Sequence, residues 1–524
     1  MSGDACPWNV TSSGFLVTYH LPRANNKTCW LWSRIIAGTD GRVVVMARGS
    51  EILARFQTTT PMFPGEAGGS DGIMGAEIRP TAIKAALRFW WRSLAYARLG
   101  NDTATLKREE DALFGAPADD EGGRQRRGGT ARGQAAFMLR LTSAPAAETD
   151  LFPPGSEPLP ASAEIDGAAI PGGVAYLGYG PVLYSRDLGG PAFHRRGIKP
   201  GTIFSIALRC RADSDVDGLI AALKLFGLLG GMGARSRRGF GSVALLDLVR
   251  DGEAIFSPPE TLRDYVQRLK AVLPATYVAS ARARPDWSAF APGRDGMRGS
   301  VCAIVAAGKA VPLAGQVPTA RRPQWQGQRG SGGPVSLHAA LEFMPPSWSQ
   351  TLNMLGVGMM LYRSSGRNGK IAYRDKPAWR QFHEDHDWFY EIAGGQTAER
   401  VPERVAFGVP LPFYSSTTNR KVTVGAAAAT RDRRASPVLM HVHRVGQDYL
   451  GVITILPGRY LPDGDSFSVK RGDQPVGTLT APSPDAFNFD PLFDLIDGHG
   501  RPPHRQSPFR VVDGGWILTG RSTS

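Results

Sequence analysis

The chain is 524 residues long, 42% hydrophobic and 21% charged, with a formal net charge of +14. That length predicts two domains with an ample core, and the hydrophobic share is that of an ordinary soluble protein rather than a fibrous or disordered one. The positive balance points to a polyanionic partner, nucleic acid before anionic membrane, with an Arg-heavy proteome as the bland alternative.

Residues 1–45 show no clear period and read as an N-terminal extension, or as a start placed upstream of Met46. ILARFQTTTPMF (52–63) reads as a strand, and GEAGGSDGIMG (65–75) as a Gly-rich loop. RPTAIKAALRFWWRSLAYARLG (79–100) is the clearest helix, with Pro80 in its first turn and Gly100 at its stop. Ile83, Leu87, Trp90 and Leu94 make its apolar face, while Lys84, Arg88 and Arg92 form a basic stripe beside it. Residues 115–133 are polar and Gly-rich, the mark of a solvated loop. Strands are predicted at 134–144, 202–211 and 241–248, with a helix at 215–229 capped by Ser214.

The first half therefore reads β-α-β-β-α-β, the order of a ferredoxin-like or RRM-type domain in the α+β class, with long insertions between its elements. A second domain begins near 300. Strands are predicted at 300–308, 336–344, 405–413, 437–445 and 449–457, and helices at 347–362 and 380–393. The assigned spans are 46–255 and 300–479 for the domains, 256–299 for a linker and 480–524 for a loosely packed, Pro-rich C-terminal extension.

The segment 230–241, GGMGARSRRGFG, holds five glycines and three arginines. Gly231, Gly233, Gly239 and Gly241 allow close backbone approach. Arg235, Arg237 and Arg238 around Ser236 supply planar, permanent charges that match phosphate. The segment is not a P-loop, because no Lys-Ser/Thr ends it. It also runs from helix to strand, the reverse of the dinucleotide-binding order. A backbone grip on a nucleic acid suits it better than one nucleotide; a plain turn would need only one or two glycines. Phe89, Trp90, Trp91 and Phe240 are candidates to stack on bases, with Trp90 assigned to the core.

Catalytic groups are sparse. His194 is the only histidine between 46 and 240, and one histidine is thin ground for acid–base chemistry. His383, Glu384, Asp385 and His386 crowd one helix and read as a solvated face rather than a metal site. His441 and His443 alternate on a strand and read as an exposed pair. Asp71 alone is no mechanism. The cysteines, Cys6, Cys29, Cys210 and Cys302, lack paired spacing, so neither a zinc knuckle nor a disulfide framework is expected, and a reducing cytoplasm fits. No membrane span or secretion signal is expected.

EIRPTAIKAALRFWWRSL (77–94), LFG (113–115), YLGYGP (176–181) and GLLGGMGARSRRGFGSV (227–243) together resemble the RAMP superfamily of CRISPR-associated RNA-binding proteins. Within it the chain looks like the first RAMP subunit of type III-B effector complexes. Arg404 with FGVPL (407–411), RDRRASPV (431–438) and LPGRYLP (456–462) continue the likeness, which spans about 46–465. The resemblance implies tandem ferredoxin-like domains, no cofactor, and a non-catalytic subunit in antiviral defence. Its partners would be guide RNA, target RNA and the other subunits of that complex. It carries the role of RNA contact onto Lys84, Arg88, Arg92, Arg235, Arg237, Arg238, Gly239 and Gly241, and onto Arg433, Arg434 and Ser436. A guide-processing endoribonuclease and a basic scaffold without RNA contact remain the alternatives.

Overall fold

The computed structural model describes residues 49–65, 76–116, 133–146, 149–155, 159, 172–188, 190–282, 284–293, 297–305, 347–363, 383–415, 418–427, 433–462, 464–480, 487–497, 509 and 511–518, and seven short strands at 15–19, 31–37, 43–45, 163–165, 168–170, 335–336 and 371–372.

In the first half, β1 (Glu51–Thr58) leads into α1 (Pro80–Leu99) and α2 (Thr103–Phe114), then β2 (Phe137–Ser143), β3 (Ile203–Cys210), α3 (Val216–Leu229), β4 (Val243–Arg250) and β5 (Glu253–Phe256). The strands lie in the order β5-β4-β1-β3-β2, and every neighbouring pair is antiparallel. Leaving aside α2 and the edge strand β5, this is the expected β-α-β-β-α-β order. Strict alternation in β1 sends Ile52, Ala54 and Phe56 inward. Phe56 meets Phe204 of β3 at 5.4 Å and Phe226 of α3 at 5.2 Å, so sheet and helix share one aromatic seam. Gly227 lets α3 press on β4, since a Cβ there would lie 2.3 Å from the Leu245 Cβ.

The second half is built on β6 (Val301–Val305), α5 (Trp348–Arg363), α6 (His383–Gly394), β7 (Leu411–Ser415), β8 (Arg420–Ala426), β9 (Val438–Val445), β10 (Asp448–Ile455), β11 (Ser466–Arg471), β12 (Gln474–Thr480), α7 (Asp490–Asp497) and β13 (Val511–Leu518). Its main sheet runs β9-β10-β6-β13, and β6, α5, β9, β10, α7 and β13 repeat the same chain order and strand order as the first half. A second sheet, β7-β8-β11-β12, is inserted around the β9–β10 hairpin.

Several expectations change. Residues 480–524 are not merely a loose tail, because α7 buries Leu492, Phe493, Leu495 and Ile496, and β13 pairs with β6. The strand expected at 405–413 is a 3-10 turn, Glu403–Phe407, followed by β7; Gly408 at φ 115° and Pro410 break it. Asp215, not Ser214, caps α3, its carboxylate accepting from Gly218 N at 2.9 Å. Between 256 and 299, α4 (Leu262–Val272) buries Tyr265 and Leu269. The strand expected at 336–344 lies almost wholly outside the described residues, as do residues 66–75 with Asp71 and the loop 117–132.

Candidate nucleic-acid interface

Strand β9 lies along the Gly/Arg loop. Met440 N donates to Arg237 O at 3.0 Å, Val442 N to Ser242 Oγ at 3.2 Å, and Thr59 Oγ1 donates to Val442 O. The loop is therefore clamped by the second half of the chain. Gly241, at φ 61°, takes a conformation that ordinary residues avoid, and a Cβ there would lie 1.9 Å from Met232 O. Gly233 and Gly239 also have positive φ, as does Arg235 at 64°. Phe240 is buried and packs 5.8 Å from Phe63, so it anchors the loop rather than presenting a ring.

The arginines then project into the seam between the halves. Arg237 donates to Ser436 O at 2.6 Å and lies 5.2 Å over the Phe89 ring of α1. Arg434 donates to Tyr460 O at 2.9 Å and Arg459 O at 3.1 Å. Arg235 donates to Tyr179 O at 2.7 Å. The Arg238 guanidinium has no hydrogen-bond acceptor among the described residues. Burial pushes both Arg237 and Arg238 down to about 10; Arg434 adds to the first shift, and Arg363 and Arg235 to the second. Both stay protonated at neutral pH.

Arg363 ends α5 and lies 5.4 Å over Phe407, and Arg404 donates to its carbonyl at 2.9 Å. Burial likewise lowers Arg404 to about 10, against the pull of Asp385. Six arginines thus share the seam: Arg235, Arg237, Arg238, Arg363, Arg404 and Arg434. Among the described residues, the one carboxylate paired with any of them is Asp385, 3.6 Å from Arg404 Nε. Carbonyl partners orient guanidinium groups but leave their charge intact, and each guanidinium has five donors. The seam is therefore a half-buried field of positive charge. Arg363 was not singled out in the sequence, since only the fold brings it to the loop; Arg404 stood in a motif without an assigned role. Arg433 is exposed on the segment leading to β9.

The α1 stripe goes elsewhere. Glu110 of α2 is buried between Arg88, at 3.4 Å, and Arg92, which it binds through both carboxylate oxygens. Arg88 also donates to Gly115 O at 2.8 Å. Lys84 lies 5.5 Å over the Phe137 ring, and burial lowers its pKa, with Arg88 adding to the shift. The stripe faces α2 and β2, while the loop meets α1 at Phe89. Trp90 and Trp91 are both core, and Trp91 Nε1 donates to Asp215 at 2.7 Å.

The histidine pair of β9 and Asp385 of α6 are buried. His441 and His443, expected exposed, are buried where β9 meets α3 and α4. His441 Nδ1 must donate to Gly230 O at 2.9 Å, so its Nε2 accepts from His443 Nδ1 at 3.1 Å. That chain of bonds holds both rings neutral, and burial drives His441 down to about 3 and His443 well below its usual range. Asp385, expected on a solvated face, is fully buried and accepts the amides of Glu403 at 2.7 Å and Arg404 at 2.8 Å. The side chains of His383 and Glu384 lie outside the described residues. Among the described residues no group of His, Cys, Asp and Glu forms a metal site, and no helix is long and apolar enough to cross a membrane. His194 is exposed, its amide bonded to Pro181 O at 2.7 Å.

Residues 55–244, from within β1 through the Gly/Arg loop into β4, match the family model of the RAMP superfamily. Among solved structures the chain is similar to Cmr1 from Pyrococcus furiosus in its apo form, at 14% identity over 79% of this chain and 90% of that one, with a TM-score of 0.39. It is also similar to a chain of the type III-B Cmr-beta complex bound to cognate target RNA, at 14% identity, covering 39% of this chain and 61% of that one with a TM-score of 0.23. Cmr6 from Pyrococcus furiosus matches at 17% identity over 37% of this chain and 97% of that one, with a TM-score of 0.19. No curated protein matches the chain.

Proposed function

We propose that this protein is a non-catalytic RNA-binding subunit of a type III-B CRISPR ribonucleoprotein, gripping guide or target RNA by its backbone in antiviral defence. The observation that carries this reading is the arginine seam, where six guanidinium groups meet one carboxylate among the described residues. Like charges held this close repel, and a phosphate strand relieves that repulsion. The RAMP match over 55–244 ends just past the loop that supplies three of the six. A backbone grip suits a guide-binding subunit, because base pairing does the reading. Partner subunits would flank the seam, and the cytoplasm is the compartment that fits.

Arg238 is the cleanest test, since no described acceptor depends on it. Arg238→Gln should weaken binding of a single-stranded oligoribonucleotide by the full chain and make its log–log salt slope about one unit shallower. An unchanged affinity and slope would remove the seam from the RNA path. Cleavage of a repeat-derived RNA that His194→Ala abolishes would instead identify a processing nuclease.

A further inference from the structure

The four aromatics that the sequence offered for base stacking are taken. Trp90, Trp91 and Phe240 are buried, and Phe89 lies under Arg237. Exposed aromatic and apolar surface gathers instead just before and on the hairpin of Val182–Ser185 and Gly190–Phe193. Tyr179, Leu183, Tyr184 and Leu188 are all exposed, with Tyr179 at 68% and Tyr184 at 71%. Arg186, His194, Arg195 and Arg196 are exposed around them, so the patch is basic as well as aromatic.

This patch is tied to the arginine loop in two ways. Arg235 donates to the Tyr179 carbonyl at 2.7 Å, and its guanidinium lies against the Gly180 turn, where a Cβ would meet Nη2 at 3.5 Å. Below, Phe193 at the hairpin base packs 4.9 Å from Phe152 and 5.4 Å from Phe63, and Phe63 packs 5.8 Å from Phe240 of the loop. Hairpin and loop therefore stand on one aromatic foundation, which fixes the Tyr179 turn beside the guanidinium groups.

We infer that Tyr179 stacks on an unpaired base whose neighbouring phosphate is held by Arg235 and Arg238, so that this site takes single-stranded RNA rather than a duplex. The inference rests on the RNA reading above. A duplex hides its base faces in the stack, whereas an unpaired base offers a face to an aromatic ring of any partner. Arginine beside the ring anchors the strand without reading its sequence.

The test uses the full chain and three fluorescein-labelled probes: a short single-stranded oligoribonucleotide, the same strand with abasic positions, and the strand annealed to its complement. The wild type should bind the base-bearing strand about fivefold or more tightly than the abasic one, and more tightly than the duplex. Tyr179→Ala should erase the preference over the abasic strand and leave the salt slope intact, while Tyr179→Trp should keep both. Equal binding of base-bearing and abasic strands by the wild type, or full discrimination by Tyr179→Ala, would overturn the inference. So would a Tyr179→Ala protein with unchanged RNA binding that no longer co-purifies with a partner subunit, since the hairpin would then be a protein dock. Persistent base discrimination in Arg238→Gln with an unaltered salt slope would refute the phosphate grip and leave the stacking.

Discussion

Glu110 decides what the basic stripe of α1 does in the folded chain. It is 4% exposed and bonds both Arg88 and Arg92, so those two cations stitch α1 to α2. Glu110→Ala should destabilise the protein by about 1–3 kcal/mol, read as a lower denaturation midpoint, because a charge-assisted pairing is lost while its half-exposed arginines rehydrate. The same variant should leave the salt slope of RNA binding in place, and a shallower slope would give the stripe a part in the grip. The Lys84–Arg88–Arg92 spacing was legible in the sequence, but its partner was not. Glu110 sits in a helix, α2, for which no element was predicted, and nothing local marks it as the acid that turns inward. The loop arginines show the opposite case. Three guanidinium groups among glycines marked the loop as a cluster of positive charge, and the fold added Arg363 and Arg404 from distant segments.

At the scale of elements, the chain order of the first half could be read because β1 alternates strictly, α1 holds one apolar face, and apolar runs mark β3, β4 and the buried helix α3. The second half was harder. Strand β13 pairs with β6 from more than two hundred residues away, and no local pattern in a Pro-rich segment reports such a partner. Helix α4 did leave a signal, the Thr261–Asp264 capping box, in which each side chain bonds the other residue's amide. Packing between elements also sets a testable limit. Gly356 of α5 meets the short helix Gly173–Leu177 so closely that a Cβ would lie 2.1 Å from Gly173 O. Gly356→Ala should therefore cost about 1–3 kcal/mol or force the helices apart, and it should weaken RNA binding as well, because α5 carries Arg363. A variant as stable as wild type in urea would show that the contact yields freely.

For the whole molecule, the two halves are joined through β9, whose side chains are buried on both faces from Val438 to His443. A period of two told which residues share a face of this strand. It did not tell that both faces are covered, which is why the histidines read as exposed. Their burial has a pH consequence. Burial holds His441 neutral down to about pH 3 and keeps His443 well below its usual range, while unfolded histidines take up protons below about 6.5. The unfolded state thus binds more protons in that window, and stability falls as pH falls, by about 1.4 kcal/mol per unit for each histidine well below 6.5. Urea melts between pH 6 and 5 should show this slope, and His443→Phe should flatten it; an equal slope in the variant would place the proton uptake elsewhere.

On the proposed function, RNA lies in the arginine seam between the halves. Photo-crosslinking the full chain to a labelled single-stranded RNA, followed by mapping of the attached peptides, tests it most directly. Crosslinks should fall on 176–196, on 235–238 and around Arg363. Attachment confined to the α1 stripe or the outer face of the first sheet, with none in the seam, would contradict it.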